Sequence, residues 1–175
     1  MIKKLISVIF CVFLLASCNH QTTTGPTPPP IPPPPEPPDA DYLEVIQVQN
    51  SPNPLDGFLT SPASLKIGQP ITIIVKYIVS KEHFVLHQPP DKWVHVTSCL
   101  STDGIGCLPG SGRGSGIQER SGTVMNSNVQ PGNPGDVNQT KYIINYLDFD
   151  EVPYTPSTRR LLYTASPFPF EINYY

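Results

Sequence analysis

The chain has 175 residues, with 11 basic and 14 acidic side chains and a formal net charge of −3. This length predicts one domain, and the absence of a large basic block argues against a nucleic-acid partner. Ten of its 23 prolines lie between Pro26 and Pro38. Such a stretch cannot pack as a helix or a central strand, so we expect the folded domain to be residues 41–175.

The first segment, residues 1–17, is typical of a secretory signal peptide. Lys3 and Lys4 precede an apolar run from Leu5 to Leu15 that only Ser7 interrupts. Eleven residues are too few to span a bilayer, which needs about 20. They suit the apolar core of a signal peptide that is removed on export.

The residues Leu15-Ala16-Ser17-Cys18 resemble the lipobox of bacterial lipoproteins. The resemblance implies that Cys18 is alkylated by a diacylglycerol and becomes the lipid-bearing first residue after cleavage. Two or more acyl chains give stable membrane anchoring, whereas one is marginal. By the same resemblance, Asn19 in place of Asp favours transfer to the outer membrane, so the expected location is the cell envelope.

The segment 18–40 is polar at first and then rich in proline. We expect it to adopt polyproline II, in which 13 residues reach roughly 40 Å. It is interpreted as a semi-rigid spacer between the lipid and the domain. The alternative is a ligand for an aromatic groove of the SH3 kind.

The domain is predicted to be all-β. The clearest strand is residues 71–79, which are β-branched or aromatic almost throughout, with the residues at odd positions on the core face. Further strands are predicted at residues 42–48, 84–87, 92–98, 122–129, 140–147, 160–164 and 170–174. Short strands separated by polar turns predict a single antiparallel β-sandwich.

Gly68-Gln69-Pro70 before a long apolar strand, followed by Trp93 on a later strand, resembles bacterial immunoglobulin-like domains. The resemblance implies an immunoglobulin-like sandwich. Both domain cysteines follow Trp93, which departs from the Cys-Trp-Cys order of antibody domains. A transthyretin-like sandwich therefore stays open as the alternative.

Cys99 and Cys107 are the two cysteines of the domain. In an exported protein they are expected to form a disulfide that closes a small loop. The rival interpretation is a metal site made of His95, Cys99 and Cys107, but it lacks the tight cysteine spacing of structural zinc sites.

Other candidate residues are interpreted as structural, so no metal, cofactor or catalytic residue is predicted. His83, His87 and His95 match no metal motif and are assigned to strand surfaces. Residues 110–116, rich in glycine, lack a following helix and are predicted to be a mobile surface loop. Asp148, Asp150 and Glu151 lack the pattern of a calcium loop and are placed after a strand. Phe170, Ile172 and Tyr174 are predicted to face the core from a last strand with an exposed edge.

These expectations combine into a non-enzymatic envelope lipoprotein that is anchored to the membrane through Cys18. Its sandwich would bind or scaffold an envelope protein partner, in an envelope or secretion assembly. The alternative is a surface-displayed adhesin that binds carbohydrate or protein.

Overall fold

A computed structural model of the chain describes residues 35–51, 57–87, 92–131, 140–151 and 159–175. A compact unit runs from Glu36 to Tyr175. Within the described ranges it contains nine strands and one short helix: β1 (Tyr42–Asn50), β2 (Ala63–Leu65), β3 (Ile71–Ile78), α1 (Lys81–Phe84), β4 (Lys92–Ser101), β5 (Arg113–Gly116), β6 (Ser121–Val129), β7 (Thr140–Glu151), β8 (Arg160–Thr164) and β9 (Phe168–Tyr174). In this part of the chain no helix has the length and apolar character that a membrane crossing needs.

The strands form two sheets, which confirms the predicted all-β sandwich. One sheet has the order β1-β3-β6, and the other has the order β2-β9-β7-β4-β5, with β8 also paired to β7. Neighbouring strands are antiparallel except for β2 and β9, which are parallel, so the second sheet is mixed. The order β1-β3-β6 follows strands A-B-E of immunoglobulin-type sandwiches, and β4-β7-β9 follows C-F-G. The strand order is therefore similar to that of the immunoglobulin-like sandwich that the sequence resemblance implies.

The core lies between the inward faces of these sheets. On β3 the predicted alternation is confirmed, because Ile71, Ile73 and Val75 have no exposed surface. Val94 and Val96 of β4 belong to the same buried cluster. Inward side chains of β7 and β9 complete it: Ile143, Leu147, Phe149, Phe170 and Ile172. Each fully buried aliphatic side chain of this kind contributes about 1.5–3 kcal/mol to stability.

The strand predicted at residues 84–87 is wrong, because Phe84 is the last residue of α1 and residues 85–87 form no strand. Ser80 caps this helix, and its hydroxyl accepts a hydrogen bond from the amide of His83 at 3.3 Å. Ser is a preferred N-cap residue because its oxygen satisfies an amide that lacks a helical partner. His83 and His87 therefore do not lie on a strand surface.

The last strand is not an exposed edge as expected. β9 lies between β7 and β2, and Ala63, Ser64 and Leu65 of β2 pair with its C-terminal end. The predicted core face of β9 is confirmed: Phe170 and Ile172 are buried, and Tyr174 packs partly buried against the core. The short parallel strand β2 thus covers part of the edge of β9 that we expected to be exposed.

The chain just before β1 is fastened to the sandwich by Arg120. Its guanidinium pairs with Glu36 at 2.9 Å and with Asp39 at 3.2 Å, and its Nε donates to the carbonyl of Val79 at 3.2 Å. Asp39 also accepts a hydrogen bond from the amide of Lys81 at 2.7 Å. These contacts hold Glu36 and Asp39, near the start of the compact unit, against the sandwich.

Candidate functional site

A polar cluster lies on the face of β4 and β7 that points away from the core. In the register of this antiparallel pair, His95 is opposite Asp148 and Trp93 is opposite Asp150. Because Val94 and Val96 point into the core, the residues that alternate with them point outward. The register therefore collects a histidine and two carboxylates on one surface.

Arg159, the residue just before β8, joins these residues from the other side. Its Nη2 lies 2.9 Å from Oδ2 of Asp148, and its Nε lies 3.9 Å from Oδ1 of Asp150. Thr97 donates its hydroxyl to Oδ2 of Asp148 at 2.9 Å and accepts from Nη2 of Arg159 at 3.1 Å. Both strong contacts of Asp148 therefore use the same carboxylate oxygen.

The other oxygen of Asp148 is left without a hydrogen bond. Asp148 is 1% exposed, and its Oδ1 has no partner among the described residues; neither does Oδ1 of the buried Asp150 or Nδ1 of His95. Nδ1 of His95 lies 3.7 Å from Oδ1 of Asp148 and 3.5 Å from Oδ2 of Asp150. Both separations exceed the usual hydrogen-bond length of about 2.7–3.2 Å.

Burial sets the protonation of this cluster. Desolvation raises the pKa of Asp148 to about 6, against the opposing effects of the Arg159 charge and the Thr97 hydrogen bond. Desolvation also lowers the pKa of His95, and the charge of Asp150 only partly offsets this. Burial thus favours the neutral form of both the His95 imidazole and the Asp148 carboxyl group.

A row of glycines borders the cluster on β5. The prediction of a mobile loop at residues 110–116 is wrong for residues 113–116, which pair with residues 95–98 of β4. A side chain at Gly114 would place its Cβ 2.6 Å from Oγ1 of Thr97, and one at Gly116 would meet Trp93 at 3.1 Å. Glycine is thus required on this face so that Arg159 and Trp93 can lie beside the strand.

On its inward face, β5 takes part in a polar network that joins the sheets. Ser115 donates to Asn126 of β6 at 2.7 Å, and the Asn126 amide donates to the Ser98 hydroxyl at 2.8 Å. Ser98 in turn donates to Asn145 at 2.6 Å. Because these buried groups satisfy one another, the network specifies how the sheets pack rather than offering a site.

The predicted disulfide between Cys99 and Cys107 is formed, with a Cα–Cα distance of 5.6 Å. Its loop is shaped by Asp103, whose Oδ1 accepts from the amides of Ile105 and Gly106. These backbone hydrogen bonds lower the pKa of Asp103. The bonded cysteines cannot also serve the rival metal site with His95. Cys18 lies outside the described residues.

The three histidines are not brought together as one ligand set. His83 pairs with Asp41 at 2.6 Å, while His87 stacks on Phe84 and meets the edge of Trp93. His95 instead groups with Asp148 and Asp150. The placement of these two aspartates after a strand is wrong, because β7 continues to Glu151. The side chain of Glu151 is not among those described.

The search against protein-family models and the search of curated proteins gave no significant match to this chain.

Proposed function

We propose that the protein is an envelope lipoprotein whose sandwich binds a protein partner and has no catalytic role. The signal peptide and the lipobox ending at Cys18 support the anchor. The proline-rich segment supports a spacer that holds the domain away from the lipid. The domain then begins where Arg120 binds Glu36 and Asp39, so the spacer leads directly into a fixed point on the sandwich.

The non-catalytic part of the proposal is supported by Thr97, the hydroxyl-bearing residue of the outward cluster. Thr97 has no exposed surface, and its hydroxyl is engaged by Asp148 and Arg159. It therefore offers no nucleophile to a substrate, although it lies beside a histidine and two carboxylates. A nucleophile has to be within reach of both its base and the substrate.

The observation that carries partner binding is an apolar surface on the edge strand β1. The register of β1 against β3 skips one residue between Val45 and Gln47, which makes Ile46 a bulged residue that is 52% exposed. Phe58, which bridges to Gln49, is 72% exposed. Ile46 and Phe58 line one groove of about 300 Å³ with Gln47, Val48 and Leu59.

An edge strand with an apolar groove suits a partner that adds a strand. Among the described residues, β1 pairs with β3 on one side, and only the segment at Phe58 and Leu59 meets its other side. Backbone groups on such an edge give affinity, and apolar pockets beside it give specificity. We therefore place the envelope partner on the β1 edge and its groove.

Photocrosslinking in intact cells tests this surface. A photoreactive amino acid at Phe58 should give one discrete adduct with an envelope protein, and Ile46→Asp in the same chain should abolish that adduct. The matched control is the same probe at Ile105, which is 87% exposed in the disulfide loop. Equal crosslinking from both positions, or no adduct from Phe58, would refute the proposed β1 surface.

The lipid anchor has a separate test. Cys18→Ser should abolish the incorporation of labelled fatty acid, and continued incorporation would refute the anchor.

The alternative is an outward-displayed adhesin, and the outward face beside the β5 glycines favours it. Trp93 and Tyr146 lie on the same outward face as Asp148, Asp150 and Arg159, a mixture of rings and charges that suits a carbohydrate. Protease added to intact cells separates the two functions. An adhesin should be cleaved from the surface, whereas a periplasm-facing assembly component should be protected until the outer membrane is opened.

A further inference from the structure

The buried cluster on β4 and β7 holds three polar atoms that have no hydrogen-bond partner among the residues the structure describes. These atoms are Nδ1 of His95, Oδ1 of Asp148 and Oδ1 of Asp150. A buried polar atom without a partner costs about 1–3 kcal/mol, and more when it is charged. Such atoms on three neighbouring side chains point to a ligand that contacts all three residues.

The donor geometry suits a single metal ion. One donor atom from each of the three residues lies within 4.8 Å of the others. Nδ1 of His95 lies 3.7 Å from Oδ1 of Asp148 and 3.5 Å from Oδ2 of Asp150, and both distances are longer than a usual hydrogen bond. Around a tetrahedral zinc ion with bonds of about 2.1 Å, neighbouring donor atoms lie about 3.4 Å apart. The spacing thus leaves room for an ion between the three side chains.

The charges and hydrogen bonds around the cluster favour the same ligand. Thr97 and Arg159 both bind Oδ2 of Asp148, which orients the carboxylate and leaves Oδ1 free. Such outer contacts commonly fix the direction of a ligating carboxylate. Two carboxyl groups share one guanidinium here, and a divalent cation would supply further positive charge to these buried acidic groups.

We propose that His95, Asp148 and Asp150 bind one divalent metal ion of the zinc class. A nitrogen and two carboxylate oxygens are a donor set that zinc accepts. The three protein ligands leave a fourth position, and the glycines of β5 allow the His95 side chain to lie beside that strand, since a Cβ at Gly114 or Gly116 would come within 3.7 Å of it. This inference concerns the sandwich alone and does not depend on the lipid anchor or on the β1 partner surface.

A calorimetric titration with Zn²⁺ tests the site on the full chain carrying Cys18→Ser and no histidine tag. We expect one ion per chain, with a dissociation constant tighter than about 100 µM and complete removal by a chelator. His95→Ala and Asp150→Asn should each weaken binding by at least about tenfold. The matched control is His83→Ala, which removes a histidine paired with Asp41 on another surface and should leave binding unchanged.

A second measurement, on the same chain without any substitution at the site, covers the case in which a variant fails to fold. Zn²⁺ should shift the imidazole nitrogen resonances of His95 in ¹⁵N NMR spectra and leave those of His83 in place. Zn²⁺ binding by this chain that is weaker than about 100 µM, or that does not saturate, would overturn the site. Binding that survives in folded His95→Ala, or an unchanged His95 resonance at saturating Zn²⁺, would do the same.

Discussion

The glycine at position 114 gives the sharpest test of the packing at the cluster. In Gly114→Ala, the new Cβ would lie 2.6 Å from Oγ1 of Thr97 and 3.4 Å from Nη2 of Arg159. A relaxed carbon–oxygen contact is about 3.3–3.6 Å, so one of these groups has to move by roughly 0.7 Å or more. Thr97 is fully buried and held by two hydrogen bonds, which makes the movement costly.

The expected cost follows from the groups that are displaced. Overpacking a well-packed site costs about 1–3 kcal/mol, and a hydrogen bond to a charged group contributes about 1.5–3 kcal/mol. Replacing glycine also reduces the freedom of the unfolded chain, which returns about 0.4–1 kcal/mol. We therefore expect Gly114→Ala to lower the free energy of unfolding by about 2 kcal/mol, or the melting temperature by roughly 6 °C.

Urea unfolding followed by the fluorescence of the single tryptophan measures this cost. The matched control is Gly112→Ala on the same face, where the new Cβ would lie 3.8 Å from the Tyr146 hydroxyl, an ordinary contact. It should stay within about 0.5 kcal/mol of the wild type. In a Thr97→Ala background, Gly114→Ala should cost much less, because the clashing oxygen is gone. Equal costs for both glycines, or full additivity with Thr97→Ala, would refute the reasoning.

Three further predictions concern other parts of the domain. Replacing Cys99 and Cys107 together by alanine should lower the free energy of unfolding by about 2.5 kcal/mol in urea titrations, since the disulfide closes a short loop. Burial raises the pKa of Tyr174 to about 12. Because the folded state favours the neutral phenol, stability is unaffected below pH 10 and falls by about 2 kcal/mol between pH 10 and 12, and Tyr174→Phe should remove this loss. Arg120→Ala should speed hydrogen exchange at the Lys81 amide, because Asp39 loses its ion pair.

Each of these has a result that would contradict it. Unchanged stability of the double cysteine variant would mean that the bond does not constrain the unfolded chain. An equal alkaline loss in Tyr174→Phe and in the exposed control Tyr175→Phe would assign the loss to another group. Exchange at Lys81 as slow in Arg120→Ala as in the wild type would show that Asp39 is held without the arginine.

The strands that the sequence predicts well are those in which side chains decide the structure. β3 was expected at residues 71–79 and is found at Ile71–Ile78, because a β-branched run follows a Gly-Gln-Pro turn. β5 was missed, since Gly-Ser repeats carry no strand propensity. Its only sequence signal is glycine at every second position, which places all the glycines on one face. α1 was missed because part of what holds its start is distant in sequence. The amide of its N-cap residue, Ser80, donates to Asp41, which lies 39 residues earlier in the chain.

The candidate site was not predictable for a related reason. Thr97 and Asp148 are 51 residues apart, and only the register of β4 against β7 makes them neighbours. Asp148 and Asp150 were separated from His95 because β7 was expected to end at residue 147. The spacing of two between these aspartates was the available signal, since on a strand it places both on one face. Arg159 gave no signal, because its role depends on how β8 pairs with β7.

The outward face of β4 is buried more deeply than its position explains. Thr97, Cys99 and Ser101 point away from the core, yet none has exposed surface. The neighbouring strand β5 cannot cover Thr97, because its outward residues are glycines. The cover comes instead from Arg159 over Thr97 and from the disulfide to Cys107 over Cys99. Arg159 and the disulfide thus form a small layer outside the second sheet, and Arg159 joins this layer to the proposed ion site because it also pairs with Asp148.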